Sequence, residues 1–544
     1  MKKSTRFLSL LLVLLMLTPA LASAVELNPP GTLPIAKEKT KLTILMPAET
    51  IVEDYETNDF TKYIEEMTNV DLEFELLPSV VDEARNKLAL MINSGQKLPD
   101  IINMGLPIDT VYAYAQTGAF LPLNDYLDTI AVNVPARDAE YPEFNIIKNA
   151  TAPDGNIYSV PMIVKELHNE TKYKMWINQV WLDNLGMEVP TTTEELYTVL
   201  KAFKEKDPNG NGIVGDEYPM IGGTGWSQDP TVALMNAFVY DGGGTDGDGD
   251  RLLVAEDGTL YPAYATDEWR EGLDYIRKLV DENLLAPISF TQDDAQMRAM
   301  VNNEGDCIVG VFAYSSLTLM AVATNPFYKD YTALPPVAGP SGVRQVSYQP
   351  TIPEQRWFVT ADCADPELAF RVGDFLFNEE SYLFARYGKE GEYWRGPEEG
   401  EVAQYAALGF DPTIYQITNI WSIAENSHWK RNAPVFGYTG IQGQIAADPT
   451  ENRVPEAVMG LHANYLPKEG TYAYNLIFTA EETQQIAEIR ATLRTYVNES
   501  ESRFITRDMD LDKDWDAYKE ELKRIGIDEF VAVCTQAYNR MQGK

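Results

Sequence analysis

The sequence predicts an α/β protein of two lobes, in which parallel-type sheets are flanked by helices. Apolar strand patterns occur at 41–46, 70–76 and 98–102. Helical patterns lie between them, around 60–67 and 86–92. This alternation of strand and helix is typical of a parallel sheet with helices on its faces. A chain of 544 residues is also long enough for two domains or more.

Later segments predict how the chain passes between the lobes. We expect residues 41–162 and about 330–362 to form the first lobe. Residues 163–329 and about 363–544 are expected to form the second, and the lobe of 480–544 stays open. Repeated crossings of this kind indicate a hinge of several strands and closure like that of a clamp.

The charged-residue composition argues against some classes of binding partner. The chain has 44 Lys and Arg against 82 Asp and Glu, so its net charge is −38. A charge of this sign argues against nucleic acid or an anionic membrane as a partner. Three cysteines, Cys307, Cys363 and Cys534, allow at most one disulfide, so the fold does not depend on a disulfide framework.

The first residues have the pattern of a secretory signal. Lys2, Lys3 and Arg6 precede an apolar stretch, and small residues end at Ala24, so residues 1–24 are predicted to be removed by cleavage near Ala24–Val25. Residues 25–40, rich in proline and charge, are predicted to be a tether. The first cysteine is Cys307, so no lipid-anchored cysteine follows the signal. We therefore expect a secreted protein at the extracellular face or in the periplasm.

A loop that begins at Asp207 has the spacing of a calcium site. Oxygen-bearing side chains stand at its first, third and fifth positions, and Gly212 follows at the sixth. An EF-hand-type loop opens in this way, because calcium needs six or more oxygens and a sharp turn to gather them. A tight Asx turn is the alternative. The predicted ligands of a structural calcium ion are Asp207, Asn209, Asn211, the carbonyl of Ile213, Asp216 and Glu217.

Several motifs occur in an order that resembles a known family. They are the stretch from Trp181 to Thr193 with the loop after it, the helix that opens at Pro366, residues 388–394, and the segment 536–540. This order resembles the extracellular solute-binding proteins of carbohydrate ABC transporters, and in particular the calcium-containing alginate-oligosaccharide-binding and LipO-like subgroup. The resemblance implies a type II periplasmic-binding-protein-like fold with a C-terminal helical cap.

Candidate ligand-binding residues follow strand ends or contain aromatic rings. Glu49 follows the first strand, where ligands of open parallel sheets bind, although plain loop surface is an alternative. Aromatic rings suit sugars because they lie flat against the C–H face of a pyranose. A lid over the core, or an ordinary core stripe, is the alternative for the tryptophans. The candidates are Glu49, Trp226, Phe312, Tyr314, Trp394, Trp421, Trp429 and Arg431.

The function that these features favour is capture of an oligosaccharide and its delivery to the permease subunits of an ABC transporter, by a protein that we expect to be a monomer. A peptide- or small-metabolite-binding protein of the same fold is one alternative. A secreted carbohydrase with paired carboxylates is another. The chain has only three histidines, His168, His428 and His462, and has neither G-x-S-x-G nor H-E-x-x-H. We therefore predict a binding protein and no enzyme.

Overall fold

The computed structural model describes residues 25–243, 249–321, 325–418, 424–430, 432–438, 443–445 and 462–544. The predicted signal peptide 1–24 and the candidates Trp421 and Arg431 lie outside these residues. The strands are β1 (Thr40–Pro47), β2 (Val70–Leu77), β3 (Ile101–Leu106), β4 (Val160–Val164), β5 (Met175–Asn178), β6 (Tyr218–Ile221), β7 (Leu252–Val254), β8 (Leu260–Pro262), β9 (Val309–Ala313), β10 (Tyr331–Leu334), β11 (Glu354–Val359), β12 (Trp394–Arg395), β13 (Tyr415–Gln416) and β14 (Phe436–Gly437).

The α-helices, in chain order, are Asp59–Thr68, Val81–Asn93, Ile108–Gln116, Asn124–Thr129, Asn133–Glu140, Ile146–Ala150, Leu167–Glu170, Gln179–Leu185, Thr193–Glu205, Pro230–Met235, Asp267–Asp281, Asp294–Val301, Leu317–Met320, Pro366–Leu376, Glu379–Tyr387, Ala480–Ile505, Trp515–Ile525 and Ile527–Met541. Within the described ranges, no helix combines the length and the apolar content that crossing a bilayer requires.

The first sheet has the strand order β14-β4-β11-β3-β1-β2. Strand β1 is parallel to β2 and β3, as predicted, whereas β11 is antiparallel to both β3 and β4. Alternate residues of a strand point to opposite faces. Ile44 and Met46 therefore enter one core and Leu45 another, and all three are buried. Helices cover both faces of such a sheet, which is why these three consecutive residues are all apolar.

The second sheet is smaller, with the order β10-β5-β9-β6. Strands β6 and β9 are parallel, and β5 is antiparallel to β9 and β10. Its core is separate from that of the first sheet and contains the buried rings of Trp181, Phe203 and Trp269. Two sheets with separate cores confirm the predicted α/β fold of two lobes.

The C-terminal helices complete the second core. Helix Ala480–Ile505 contributes Leu493 and Val497 to it. A buried ion group holds this helix in place: the Arg251 guanidinium donates to Asp241 through Nε at 3.0 Å and to Glu501 through Nη1 at 3.1 Å. Residues from 480 onward, whose lobe the sequence left open, therefore pack with the second lobe.

The predicted tether at 25–40 is packed against the first lobe. Ile35 and Ala36 are buried in the first core. Arg371 donates through Nη1 to the carbonyl of Asn28 at 2.7 Å. The tether prediction is therefore wrong for this segment. Its apolar residues fill part of the first core, whereas a tether would be an extended spacer outside the fold.

The segment that follows residue 363 also differs from prediction. Helix Pro366–Leu376 packs under the first sheet, where Leu368 and Phe370 are fully buried. The indole N–H of Trp357 in β11 donates to the carbonyl of Ala369 at 3.0 Å. The expected assignment of 363–544 to the second lobe is therefore wrong up to β14, since this part of the chain covers the first sheet.

Two of the segments that connect the lobes are hydrogen-bonded to each other. The chain leaves the first lobe after β4 and returns to it before β11. Between these strands, the Gln349 amide donates to the carbonyl of Glu170 at 2.8 Å. The Thr351 amide donates to the carboxylate of the same glutamate at 2.9 Å. These bonds join the two connections side by side, as a hinge requires.

Replacing Arg251 by alanine should destabilise the second lobe by about 3–5 kcal/mol, because two buried carboxylates would lose their shared cation. Chemical denaturation monitored by circular dichroism measures the change. The control is Arg524→Ala, which removes an arginine that pairs with Glu521 on the exposed surface and should change stability far less. Equal effects of the two substitutions would contradict the role given to the buried group.

Candidate functional site

A cavity of about 470 Å³ lies at the edge of the first sheet where β1 and β3 end and the antiparallel β11 begins. Asn475, which precedes the C-terminal helices, closes it from the other lobe. Its lining has no aromatic side chain among the described residues. The lining residues are Pro47, Glu49, Ser79, Val81, Arg85, Met104, Gly105, Leu106, Pro107, Ile108, Asn149, Ile352, Pro353, Glu354, Gln355, Arg356, Asn432 and Asn475.

Glu49 is held by residues from a distant part of the chain. The Asn432 side chain donates through Nδ2 to Glu49 Oε1 at 2.6 Å. Lys430 donates through Nζ to Glu49 Oε2 at 3.1 Å. The carbonyl side of the same Asn432 amide accepts a bond from Arg356 Nη1 at 3.3 Å. The structure thus places Glu49 in the cavity wall, in a chain of polar groups that fix one another.

Glu354 and Arg356 extend this chain along the start of β11. Arg356 donates through Nε to Glu354 Oε1 at 2.9 Å, and its Nη2 contacts the same oxygen. A Cβ at Gly105 would collide with that carboxylate. The absence of a side chain on β3 therefore makes room for the Glu354 carboxylate between the two strands.

The residues around Trp429 anchor this network. The ring is fully buried, lies edge-on to Phe60 and Phe74, and donates through Nε1 to Thr61 Oγ1 at 2.8 Å. The next residue, Lys430, has a φ of 50° and so turns the chain out of the core toward the cavity.

Backbone pairing holds the same segment against the loop that follows β1. Val52 and Glu425 form a parallel bridge. Asn58 donates through Nδ2 to the carbonyl of His428 at 3.0 Å. Under this segment, burial and the nearby charge of Glu49 raise the pKa of the Tyr55 hydroxyl, which therefore stays neutral over the physiological range.

In the second lobe, the exposed Trp226 and the buried Tyr314 lie at the carboxyl edge of the sheet. They follow β6 and β9, whose carboxyl ends lie together because these strands are parallel. Trp226 is 41% exposed, and its ring is edge-on to Tyr314 with centroids 6.4 Å apart. The Tyr314 hydroxyl accepts a bond from Arg298 Nη2 at 3.1 Å. Lys172 places its ammonium 5.7 Å from the Trp226 ring centroid.

The other candidate aromatic residues lie elsewhere. Phe312 and Trp429 are fully buried in the two cores, so the expectation that their rings face a ligand is wrong. Trp394 is half-buried, and its indole N–H donates to the carbonyl of Gly388 at 2.9 Å. Sequence reasoning missed Glu354 and Arg356, which stand directly before the apolar residues of β11.

The loop at 207–217 folds as a tight turn with inward-facing oxygens. Asp207 accepts bonds from the amides of Gly210 and Gly212, each at 2.9 Å. Asn209 accepts from the amide of Asn211 at 3.0 Å. Gly210, Gly212 and Gly215 all have positive φ, which explains why glycine stands there.

Two carboxylate oxygens of this loop are buried without a hydrogen-bond partner among the described residues. They are Oδ1 of Asp216 and Oε1 of Glu217. Burial, together with the neighbouring Asp216, raises the pKa of Glu217. Within the described ranges, no cluster of three or more His, Cys, Asp or Glu side chains is close enough to hold a metal. The loop also contains the carboxylate of Asp207, the side-chain oxygens of two Asn residues and backbone carbonyls, all of which are oxygen types that can bind calcium.

The sequence of residues 53–382 matches the family of bacterial extracellular solute-binding proteins. The chain belongs to this family. The match spans more than half of the chain and includes all four strands of the second sheet and four of the six strands of the first, so the resemblance seen in the motifs is confirmed.

Some relatives are similar to this chain over nearly its whole length. The fructooligosaccharide ABC transporter substrate-binding protein FusA of Streptococcus pneumoniae is 26% identical over an alignment of 537 positions, and the match covers 94% of this chain and 92% of FusA. FusA in complex with kestose is similar in structure, with a TM-score of 0.72 at 24% identity over 92% of this chain and 99% of FusA. A FusA EF-hand mutant in complex with fructo-nystose gives 0.69 at the same identity and coverage.

Two further relatives belong to the subgroup that the motifs indicated. Lipoprotein LipO of Bacillus subtilis is 27% identical over 235 residues, which make up 43% of each chain. Alginate-binding protein AlgQ2, solved without calcium ion, has a TM-score of 0.65 at 23% identity over 92% of this chain and 98% of AlgQ2. These structural similarities support the two-lobed fold with C-terminal helices.

Trp429→Ala should lower the free energy of unfolding by about 3–5 kcal/mol, because it opens a cavity in the first core and leaves Thr61 without its partner. Trp226→Ala removes an equally large ring from an exposed position and should have little effect on stability. Chemical denaturation of both variants checks the contrast. A stable Trp429 variant beside an unstable Trp226 variant would contradict the placement of the two rings.

Proposed function

We propose that this solute-binding protein captures an oligosaccharide between its lobes for a carbohydrate ABC transporter. The observation that carries the proposal is the chain of polar groups from Glu49 through Asn432 to Arg356 and Glu354. It alternates acceptors and donors along one wall of the cavity. Sugar hydroxyls both donate and accept hydrogen bonds, so a wall of this kind matches the rim of a pyranose or furanose ring.

Apolar parts of the site suit the C–H faces of a sugar. Met104 and Ile108 line the cavity in the first lobe. On the second lobe, Trp226 exposes a ring at the carboxyl edge of the sheet. In this proposal a sugar bound to the first lobe draws the second lobe over it, and the ligand favours the closed state through the contacts that only closure completes.

The membrane permease is the proposed partner of the loaded protein. FusA is described as a substrate-binding protein of an ABC transporter, and its similarity extends over nearly all of this chain. Delivery to a permease requires an extracellular or periplasmic location, which agrees with the predicted signal at 1–24. We propose a monomer, because one chain supplies both lobes of the cleft.

Asn432→Ala should weaken oligosaccharide binding by about tenfold or more, because it removes the amide that joins Glu49 to Arg356. The ligand is first found by thermal-shift screening of neutral and acidic oligosaccharides beside a peptide panel. Isothermal titration calorimetry then compares the variant with the parent protein. Asn156→Ala, a change in the first lobe outside the cavity, serves as the control. Stabilisation by peptides and by no oligosaccharide would replace this function with peptide binding.

We propose that the loop at 207–217 holds a structural calcium ion. Asp207, Asn209 and Asn211 supply side-chain oxygens in the order that an EF-hand-type loop uses. The buried, unpaired oxygens of Asp216 and Glu217 support a cation there, since two adjacent carboxylates are costly to bury without a positive charge. Two similar structures also support a calcium site: one is an EF-hand mutant of FusA, and the other is AlgQ2 solved without calcium ion. The Ile213 carbonyl completes the proposed ligand set.

Removing calcium with a chelator should lower the melting temperature, because a bound ion at a hundredfold excess over its Kd stabilises by about 3 kcal/mol. Asp207→Ala should show the lower melting temperature from the start and no further response to the chelator. Asp257→Ala, in an exposed turn where Asp257 accepts from the Thr259 amide, should respond as the parent does. Differential scanning calorimetry with metal analysis checks all three. A chelator-insensitive parent without bound calcium would rule out the site.

A further inference from the structure

Two cations at this wall of the cavity, Arg356 and Lys430, are paired with carboxylates of the protein. Arg356 directs Nε and Nη2 to one oxygen of Glu354 and Nη1 to Asn432, so all three nitrogens of its guanidinium already bind protein acceptors. Lys430 pairs with Glu49 in the same wall. Recognition of a ligand carboxylate needs the paired N–H groups of an arginine, and here the protein itself occupies that edge.

The pairing repeats in the adjoining cavity of about 160 Å³, which shares Pro107, Ile108 and Asn475 with the first. There Arg490 donates to both oxygens of Asp250, through Nε at 3.0 Å and Nη2 at 2.6 Å. A ligand that extends from one cavity into the next would therefore meet a second guanidinium whose paired N–H groups are already bound to a carboxylate of the protein.

In the pair formed by Glu354 and Arg356, the acid is more exposed than the base. The Glu354 side chain is 42% exposed and that of Arg356 is 10% exposed. A ligand in the cavity therefore meets the carboxylate of this pair first. Hydroxyl groups donate to such an oxygen, whereas a uronate would place a second negative charge beside it. The missing Cβ of Gly105 leaves the space that this carboxylate fills, so its position is built into the sheet.

We infer that the cleft takes neutral oligosaccharides and rejects uronic-acid oligosaccharides, with Glu354 as the residue that determines this choice. The inference rests on the proposed function and narrows its substrate class. It separates the chain from alginate-binding AlgQ2, whose named ligand is a polyuronate, despite their shared fold. Glu354 acts twice: it accepts sugar hydroxyls, and it occupies the guanidinium that a ligand carboxylate would need.

Titration calorimetry of the full secreted chain tests the inference with two panels of equal length, from two to five sugar units. The neutral panel contains fructo-, gluco-, xylo-, galacto- and manno-oligosaccharides, and the acidic panel contains oligogalacturonates and alginate oligosaccharides. We expect a neutral ligand to bind at least about tenfold more tightly than any uronate, because like charges repel at close range. The affinity for the neutral ligand should change less than about twofold between low and high salt, because binding of an uncharged sugar neutralises no charge.

Glu354→Gln should raise the affinity for oligogalacturonate by about tenfold, because it removes one negative charge and frees the Arg356 fork. The control is Glu73→Gln. It removes an exposed acid that pairs with Lys41 in the same lobe, and it should leave the affinities for both panels unchanged. Should Glu354→Gln fail to fold, the ranking of the parent protein and its salt dependence decide the question.

Each result has a separate meaning. A uronate that binds the parent as tightly as any neutral sugar overturns the inference and leaves oligosaccharide capture intact. A folded Glu354→Gln variant that gains nothing for uronates overturns the role of Glu354. Binding of neither panel contradicts the proposed function itself, so the two failures are distinguishable.

Discussion

Burial of the Trp429 indole determines where the polar groups of the cleft lie. The ring fills a hole among Phe60, Phe74 and Tyr55, and one residue later the backbone turns left-handed at Lys430. That turn carries the chain from the core to the cavity, where Lys430 and Asn432 meet Glu49. A hydrophobic anchor therefore positions a hydrophilic wall, and the wall is only as rigid as the packing beneath it.

The sequence predicted those features that depend on local periodicity. The apolar runs of β1 to β3 and the helices between them required a parallel sheet, and the rule that ligands bind beyond the carboxyl ends of such strands led to Glu49. It did not lead to Glu354 and Arg356. Those residues stand at the start of β11, and they reach the same edge only because β11 runs antiparallel to β3. Strand direction is a property of the assembled sheet, so no local pattern gives it.

Aromatic residues were misjudged for a related reason. Trp429 was expected to face ligand, and Asn, Ser and His stand just before it in the sequence. In the folded chain Asn426 instead donates to Thr57 in the loop after β1, and Asn58 of that loop donates to the carbonyl of His428. The hydroxyl of Ser427 donates to Glu425 in its own segment. Polar residues beside a tryptophan indicate hydrogen bonding, but the pattern does not say whether the partner is a sugar or the backbone. The Arg251–Glu501 pair was equally hidden, since its members are 250 residues apart.

The connectivity of the two cores bears on how the chain is made. The first core takes its last contributions from the region of β14, whereas the second needs helices that end close to the C-terminus. During synthesis the first lobe can therefore be complete while the second still lacks part of its interior. The unfinished lobe would expose apolar surface until the final helices emerge. The order in which the two cores can be completed is therefore set by the chain itself.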